Sequence, residues 1–133
     1  MKLLLDTHVW IWSQEQVERL GQKTRAALSD LAQQRFVSAI STFEIARLVR
    51  IGLLRFHQPF PQWKQEALGE LRAHTIDLTH EISWEAYNLP EPFHNDPADR
   101  ILVATARLHD FLLVTADDLI LRYKHVKTLS AKR

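Results

Sequence analysis

Five carboxylates stand where short apolar runs give way to residues that start helices. Asp6 follows Leu3-Leu4-Leu5, Glu44 closes Ser41-Thr42-Phe43-Glu44, Asp96 and Asp99 frame Asp96-Pro97-Ala98-Asp99, and Asp117 follows the run Phe111 to Val114. In an open parallel sheet the ligand crevice lies beyond the carboxyl ends of the strands, where the helices begin. Asp6, Glu44 and Asp117 fall on that edge, and Asp96 and Asp99, at the start of the helix feeding strand four, reach it if that helix enters from above. Two carboxylates roughly 4 Å apart at an effective dielectric near 20 repel by about 4 kcal/mol, and a helix dipole offsets only about 1 kcal/mol. Convergence of four or five therefore calls for a cation. The chain has no cysteine, so the ligands are oxygens or imidazoles, and a hard ion, Mg²⁺ or Mn²⁺, fits oxygens best. Such an ion lowers the pKa of a bound water and neutralises a phosphate oxygen, and phosphodiester hydrolysis uses both effects.

Taken singly, each acid has a structural explanation. Glu44 matches the third-position Glu of a capping box with Ser41, Asp96 and Asp99 suit an N-cap and a first turn, Asp117 suits a cap, and Asp6 a turn. Only their joint placement argues for chemistry.

The elements that must position them follow from periodicity. Met1 to Leu5 is too short for a helix and reads as a buried strand. Thr24 is placed to cap a helix to about Gln34 with an apolar stripe of Ala27, Leu28 and Leu31. Phe36 to Ala39 reads as a second strand, and a helix from Ser41 carries Ile45, Leu48 and Val49 and stops near Gly52. Pro61 starts a helix with Trp63, Ala67, Leu68 and Leu71. His74 to Leu78 reads as a third strand, and Thr79 or His80 opens a short helix. Asp96 as N-cap and Pro97 at the first position begin the strongest helical pattern in the chain. Phe111 to Val114 is a wholly apolar fourth strand, a short helix opens at Thr115 to Asp118, and Val126 to Leu129 reads as a fifth, edge strand. Strands alternating with helices predict an α/β fold, a parallel sheet covered on both faces.

The 133 residues, 46% of them hydrophobic, with three Gly and five Pro, fit one compact domain spanning residues 1–133. The absence of cysteine suits a reducing cytosol, and no apolar run has the length of a membrane span, which predicts a soluble cytoplasmic protein. Seventeen Lys and Arg against sixteen Asp and Glu do not announce a nucleic-acid binder. Arg122, Lys124, Lys127, Lys132 and Arg133 do crowd the C-terminal end, as a solvated tail or a phosphate-binding one.

Four blocks carry a family resemblance. Leu3 to Trp12 (LLLDTHVWIW), Ser41 to Leu48 (STFEIARL), His94 to Ala106 (HNDPADRILVATA) and Leu113 to Asp117 (LVTAD) resemble, in order, the signature blocks of PIN-domain ribonucleases. Among these the chain is most like VapC-type toxins of bacterial toxin-antitoxin pairs. The resemblance implies a Mg²⁺- or Mn²⁺-dependent endoribonuclease with strand order 3-2-1-4-5, commonly a homodimer inhibited by a small antitoxin. It matches Asp6, Glu44, Asp99 and Asp117 to the acidic quartet. Asp6 and Asp99 would be the principal metal ligands, Asp117 a direct or water-mediated one, and Glu44 a water-orienting group or general base. Asp96 ranks as a helix cap first and a site acid second, and Asp118 as solvent-facing. Thr7 and Thr115 resemble hydroxyls beside the metal, or serve as turn and cap residues.

Other residues stay open to two readings. His8 and His94 flank the acids, but hard Mg²⁺ does not favour imidazole, so hydrogen-bonded structural roles fit them better. Trp10 and Trp12 could stack on bases but are better explained as packing beside the first strand. Arg47 and Arg100 are candidates for RNA phosphate or for pairing with the acids. Two rivals remain: a catalytically silent scaffold, and a phospho-acceptor receiver module. The receiver wants an acidic pair after strand one, an Asp ending strand three and a Lys ending strand five, whereas here Asp6 stands alone, Asp77 lies inside the expected strand three and Lys127 starts strand five.

Overall fold

The computed structural model describes residues 1–133. Leu3, Leu4 and Leu5 have no polar residue to alternate with, and they form β1 (Lys2–Leu5), buried on both sides. Around it lie β2 (Gln34–Ser38), β3 (Ala73–Ile76), β4 (Leu112–Thr115) and β5 (Thr128–Ser130) in the order β3-β2-β1-β4-β5, every pair parallel. This is the order the family resemblance implied. It excludes the receiver layout, in which strand three neighbours strand one; here β3 is an edge.

Successive β1 side chains point to opposite faces, so the leucines divide between two cores. Leu3 and Leu5 pack with Val9 and Trp10 of α1 (Thr7–Glu15), Ile45 of α3 (Ala39–Arg50) and Trp63 of α4 (Phe60–Leu71). Leu4 packs on the other face with Ile82 of α5 (His80–Ala86), Leu102 and Val103 of α6 (Pro97–His109) and Ile120 of α7 (Asp118–Leu121). Full burial of each leucine contributes about 1.5–3 kcal/mol. No helix is long and apolar enough to cross a membrane.

Several boundaries differ from expectation. The helix expected from Thr24 is α2 (Gln22–Ser29) with Gly21 at its N-cap. Thr24 is buried inside it, and its hydroxyl donates to the Ser130 carbonyl at 3.2 Å. Leu31 lies past the end of α2 and is exposed. The third helix starts before Ser41: Ser38 is its N-cap, accepting from the Ile40 N–H at 3.1 Å. Glu44 therefore sits in the second turn, and the capping-box explanation for it lapses. The third strand ends at Ile76, two residues short of Leu78.

Gly21 marks where the C-terminal segment closes against the first half of the chain. Its N–H donates to the Ala131 carbonyl at 2.9 Å, and a Cβ there would lie 2.1 Å from the Lys132 carbonyl oxygen. Backbone, not a pliable side chain, occupies that space. Gly21→Ala should lower stability in urea by about 1–3 kcal/mol, and an unchanged unfolding midpoint would contradict this close approach.

Candidate functional site

The register of the sheet places the acids. Leu5 pairs with Val37 of β2 on one side and Val114 of β4 on the other, so the chain leaves all three strands at one edge. The switch in strand order lies between β1 and β4, where a crevice opens. There Asp6, Glu44, Asp96, Asp99 and Asp117 line one cavity of about 370 Å³, with Thr7, His8 and Trp12 among its walls. No lysine or arginine lines it.

Each acid is held by groups that its local sequence supplies. Asp6 is only 8% exposed. As N-cap of α1 it accepts from the Val9 N–H at 2.8 Å through Oδ1, and its Oδ2 accepts from the Thr115 hydroxyl. That hydroxyl in turn accepts from the Asp117 N–H at 3.0 Å, which links the ends of β1 and β4. Asp117 caps α7, its Oδ1 accepting from Leu119 N–H at 2.7 Å, and leaves its other oxygen free. Asp96 caps α6 and accepts from the Asp99 N–H at 3.0 Å. Asp99 Oδ2 lies 2.7 Å from His94 Nε2. Glu44 accepts from the Thr7 hydroxyl, and Ser41 Oγ lies 2.9 Å from the same Thr7 oxygen. Thr7 has one hydroxyl hydrogen, so it donates to Glu44 and accepts from Ser41.

The electrostatics follow from this crowding. Burial pushes the Asp6 carboxyl above its ordinary range, against the lowering effect of Thr115 and Val9, and the Asp117 charge adds to the rise. Burial likewise raises Glu44, with Asp96 and Asp6 adding to it and Thr7 opposing. Asp99 is pushed up to about 6, chiefly by burial and then by the charges of Asp96 and Asp117, although His94 opposes the shift. The cavity therefore holds more negative charge than the protein neutralises. No three histidine, aspartate or glutamate side chains close on one point as a ready coordination cage. That openness suits a hard octahedral cation, which keeps several waters and takes one or two carboxylates. The donor set is oxygen throughout.

One sequence-based candidate moves, while Asp118 stays solvent-facing as expected. Arg100 does not face the acids: it is 3% exposed, and its guanidinium donates to the carbonyls of Ala86 at 3.1 Å, Phe93 at 2.8 Å and His94 at 2.9 Å, and to Glu91 at 3.2 Å. Its charge is spent on pinning the loop before α6, so of the two roles left open for it, phosphate contact or pairing with the site acids, it is seen in neither and acts as a scaffold residue. Asp118 pairs with Lys132 and is absent from the cavity wall. Three further residues act at the site, of which only Trp12 lines the cavity itself. His94 touches Asp99, Ser41 supports Thr7, and Trp12 forms a wall while Trp10 packs in the core on Trp63. Residues two apart on a helix do not share a face, so the spacing of the two tryptophans already separated them.

Comparison with known proteins agrees with this architecture. A family model described as PIN domain matches residues 3–126. Ribonuclease VapC22 of Mycobacterium tuberculosis is 33% identical over 128 residues, 96% of each chain. Among solved structures, a toxin-antitoxin complex from Klebsiella pneumoniae aligns at TM-score 0.67 with 19% identity over 98% of both chains. VapBC2 from Rickettsia felis, bound to a DNA fragment from their promoter, aligns at 0.66 with 14% identity over 98% of both. At those identities the two structures speak for the fold alone. The family model over nearly the whole chain and the 33% identical relative place this chain in the PIN-domain family.

Proposed function

We propose that this chain is a divalent-metal-dependent endoribonuclease, with Mg²⁺ or Mn²⁺ as its ion, acting as the toxin of a toxin-antitoxin pair. The observation that carries the reading is the cavity at the β1–β4 switch, where five carboxylates gather without a lysine or arginine. The 33% identical relative bears the name ribonuclease, and RNA is the phosphodiester substrate assigned here. A small antitoxin and a second copy of the chain are the partners proposed. Large apolar side chains left in solvent support a partner-covered surface: Phe43 on α3, Leu53 beyond it and Trp84 on α5 are each at least 70% exposed.

Asp6 and Asp99 are assigned as principal metal ligands, with Asp117 contributing directly or through water. A divalent ion held there lowers the pKa of a coordinated water and neutralises charge on a phosphate oxygen. The chain's own groups supply the rest. Thr115 and the Val9 N–H keep the Asp6 carboxylate in one orientation. His94 does the same for Asp99. Glu44, held by Thr7 and with its carboxyl raised above the ordinary range by burial, is assigned to take the proton of the attacking water. In-line attack of that water on phosphorus, with departure of the 3′ oxygen, leaves a 5′-phosphate.

Cleavage of single-stranded RNA in Mn²⁺ tests the assignment. Asp6→Asn and Asp99→Asn should each reduce the rate by at least about a hundredfold, on the scale of losing a pre-organised electrostatic group, and EDTA should abolish it. Cleavage that persists in both variants or in EDTA would refute the metal mechanism.

A second outcome concerns stability without metal. The folded chain keeps a proton on Asp99 up to about pH 6, whereas the unfolded chain releases it near 3.8. Stability from that proton is complete below about 3.8 and lost as pH rises through about 6. Asp99→Asn cannot ionise, so in EDTA at neutral pH it should be more stable than the parent by on the order of 2 kcal/mol. The difference should vanish at low pH. Urea unfolding at the two pH values reads this, and a variant less stable than the parent at neutral pH would contradict it.

A further inference from the structure

A second cavity, of about 510 Å³, adjoins the acids. Phe93, Tyr123 and Leu119 form its apolar floor, Arg122 and Lys124 stand exposed on its rim, and His94 is one wall. The two cavities share their partition. His94 Nε2 contacts Asp99 of the acidic side, and the Leu119 N–H is bonded to Asp117 of that same side. The aromatic floor is continuous: the ring of Phe93 lies 4.3 Å from His94 and 4.5 Å from Tyr123, centre to centre. Tyr123 is fixed by its hydroxyl, which donates to the Pro90 carbonyl at 2.5 Å, and Arg100 pins the carbonyls of Phe93 and His94 from beneath. These bonds fix the places of Phe93 and Tyr123 in the floor.

Its charge is opposite to that of its neighbour. No acidic residue lines it, and neither Arg122 nor Lys124 belongs to any of the five ion pairs in the structure. By contrast, Lys127 and Lys132 are occupied by Asp110 and Asp118. An apolar floor with two free cations at its edge matches a nucleotide, whose base has an apolar face and whose phosphate is anionic. The volume lies within the range of small-ligand sites. Duplex RNA hides its base faces by stacking, so only an unpaired nucleotide has one to offer.

We propose that this groove holds one unpaired nucleotide of an RNA strand next to the scissile phosphate, its base on Phe93, His94 and Leu119 and its phosphate on Arg122 and Lys124. The proposal rests on the nuclease reading above and deepens it: the groove selects single-stranded over duplex RNA and sets the strand's position relative to the acids. A protein partner in the same groove is the competing occupant, and it is excluded only if RNA binding depends on these residues.

The test measures binding apart from cleavage. Fluorescence anisotropy of a labelled single-stranded RNA and of a hairpin duplex is read in EDTA with the full chain carrying Asp6→Asn. Adding Arg122→Ala with Lys124→Ala should weaken single-strand binding about tenfold and lower the log–log salt slope by about 1.4, as expected for two lost phosphate contacts. Both side chains are exposed, so the fold is not at risk. Lys127→Ala removes one nearby cation outside the groove and should leave the affinity as it was. Unchanged single-strand affinity in the double variant, or an equal loss with Lys127→Ala, would overturn the proposal. An equal loss for duplex would also overturn it. Should cleavage fail in every form while this binding result holds, the nuclease reading falls and the groove stands.

Discussion

Everything at the site depends on where β1 stops. Three fully buried leucines commit the strand to the centre of the sheet, with two cores pressing on it from opposite faces. The next residue is a carboxylate that leaves that core at its edge, at 8% exposure. The apolar strand cannot slide by one residue, because a slip exchanges its faces and would drive Asp6 or Lys2 into the core. The position of Asp6 is thus set by hydrophobic burial, and the crevice is set by the switch in strand order beside it. Glu44 and Asp117 arrive because β2 and β4 end at the same level, and Asp96 and Asp99 arrive at the N-terminus of α6.

The acids stand close together at a cost, and the fold meets part of it locally. Asp6, Asp96 and Asp117 are each an N-cap as well as a wall of the cavity. A capping carboxylate accepts orphan N–H groups and sits at the favourable end of the helix dipole. The structural and the chemical explanations of these residues are therefore compatible: each caps a helix and lines the cavity at once. Glu44 and Asp99 cap nothing. They rely on single partners, Thr7 and His94, and burial raises both above the ordinary carboxyl range. Negative charge left over after capping is what makes a cation the natural complement of this site.

Much of this was legible in the chain, for identifiable reasons. Leu3 to Asp6 and Asp96-Pro97 carry strong local signals, a buried run and a cap with Pro at the first helical position, and both formed as expected. That Asp6, Glu44 and Asp117 would share an edge was legible because their helices follow strand ends, whereas Asp99, at the start of a helix that follows a loop, was singled out by the family resemblance. What failed needed tertiary information. Ser38, not Ser41, caps α3, because β2 ends directly against the helix and leaves no linker for the later start. Thr24 has a cap-forming hydroxyl but spends it on the distant Ser130 carbonyl. Arg100 stands next to Asp99 in sequence, yet its side chain turns to the opposite side of the helix, toward carbonyls of a loop whose path no local pattern encodes.

A cation held by the carboxylates at the β1–β4 switch, as proposed, would stabilise the fold. A ligand that binds only the folded state raises the unfolding temperature in proportion to its occupancy. The most direct measurement is the thermal midpoint of the parent chain as Mn²⁺ is added after EDTA treatment, beside Asp6→Asn. The account predicts a midpoint that climbs with Mn²⁺ in the parent and stays flat in the variant. A midpoint indifferent to Mn²⁺ in the parent, or one that climbs equally in Asp6→Asn, would contradict it.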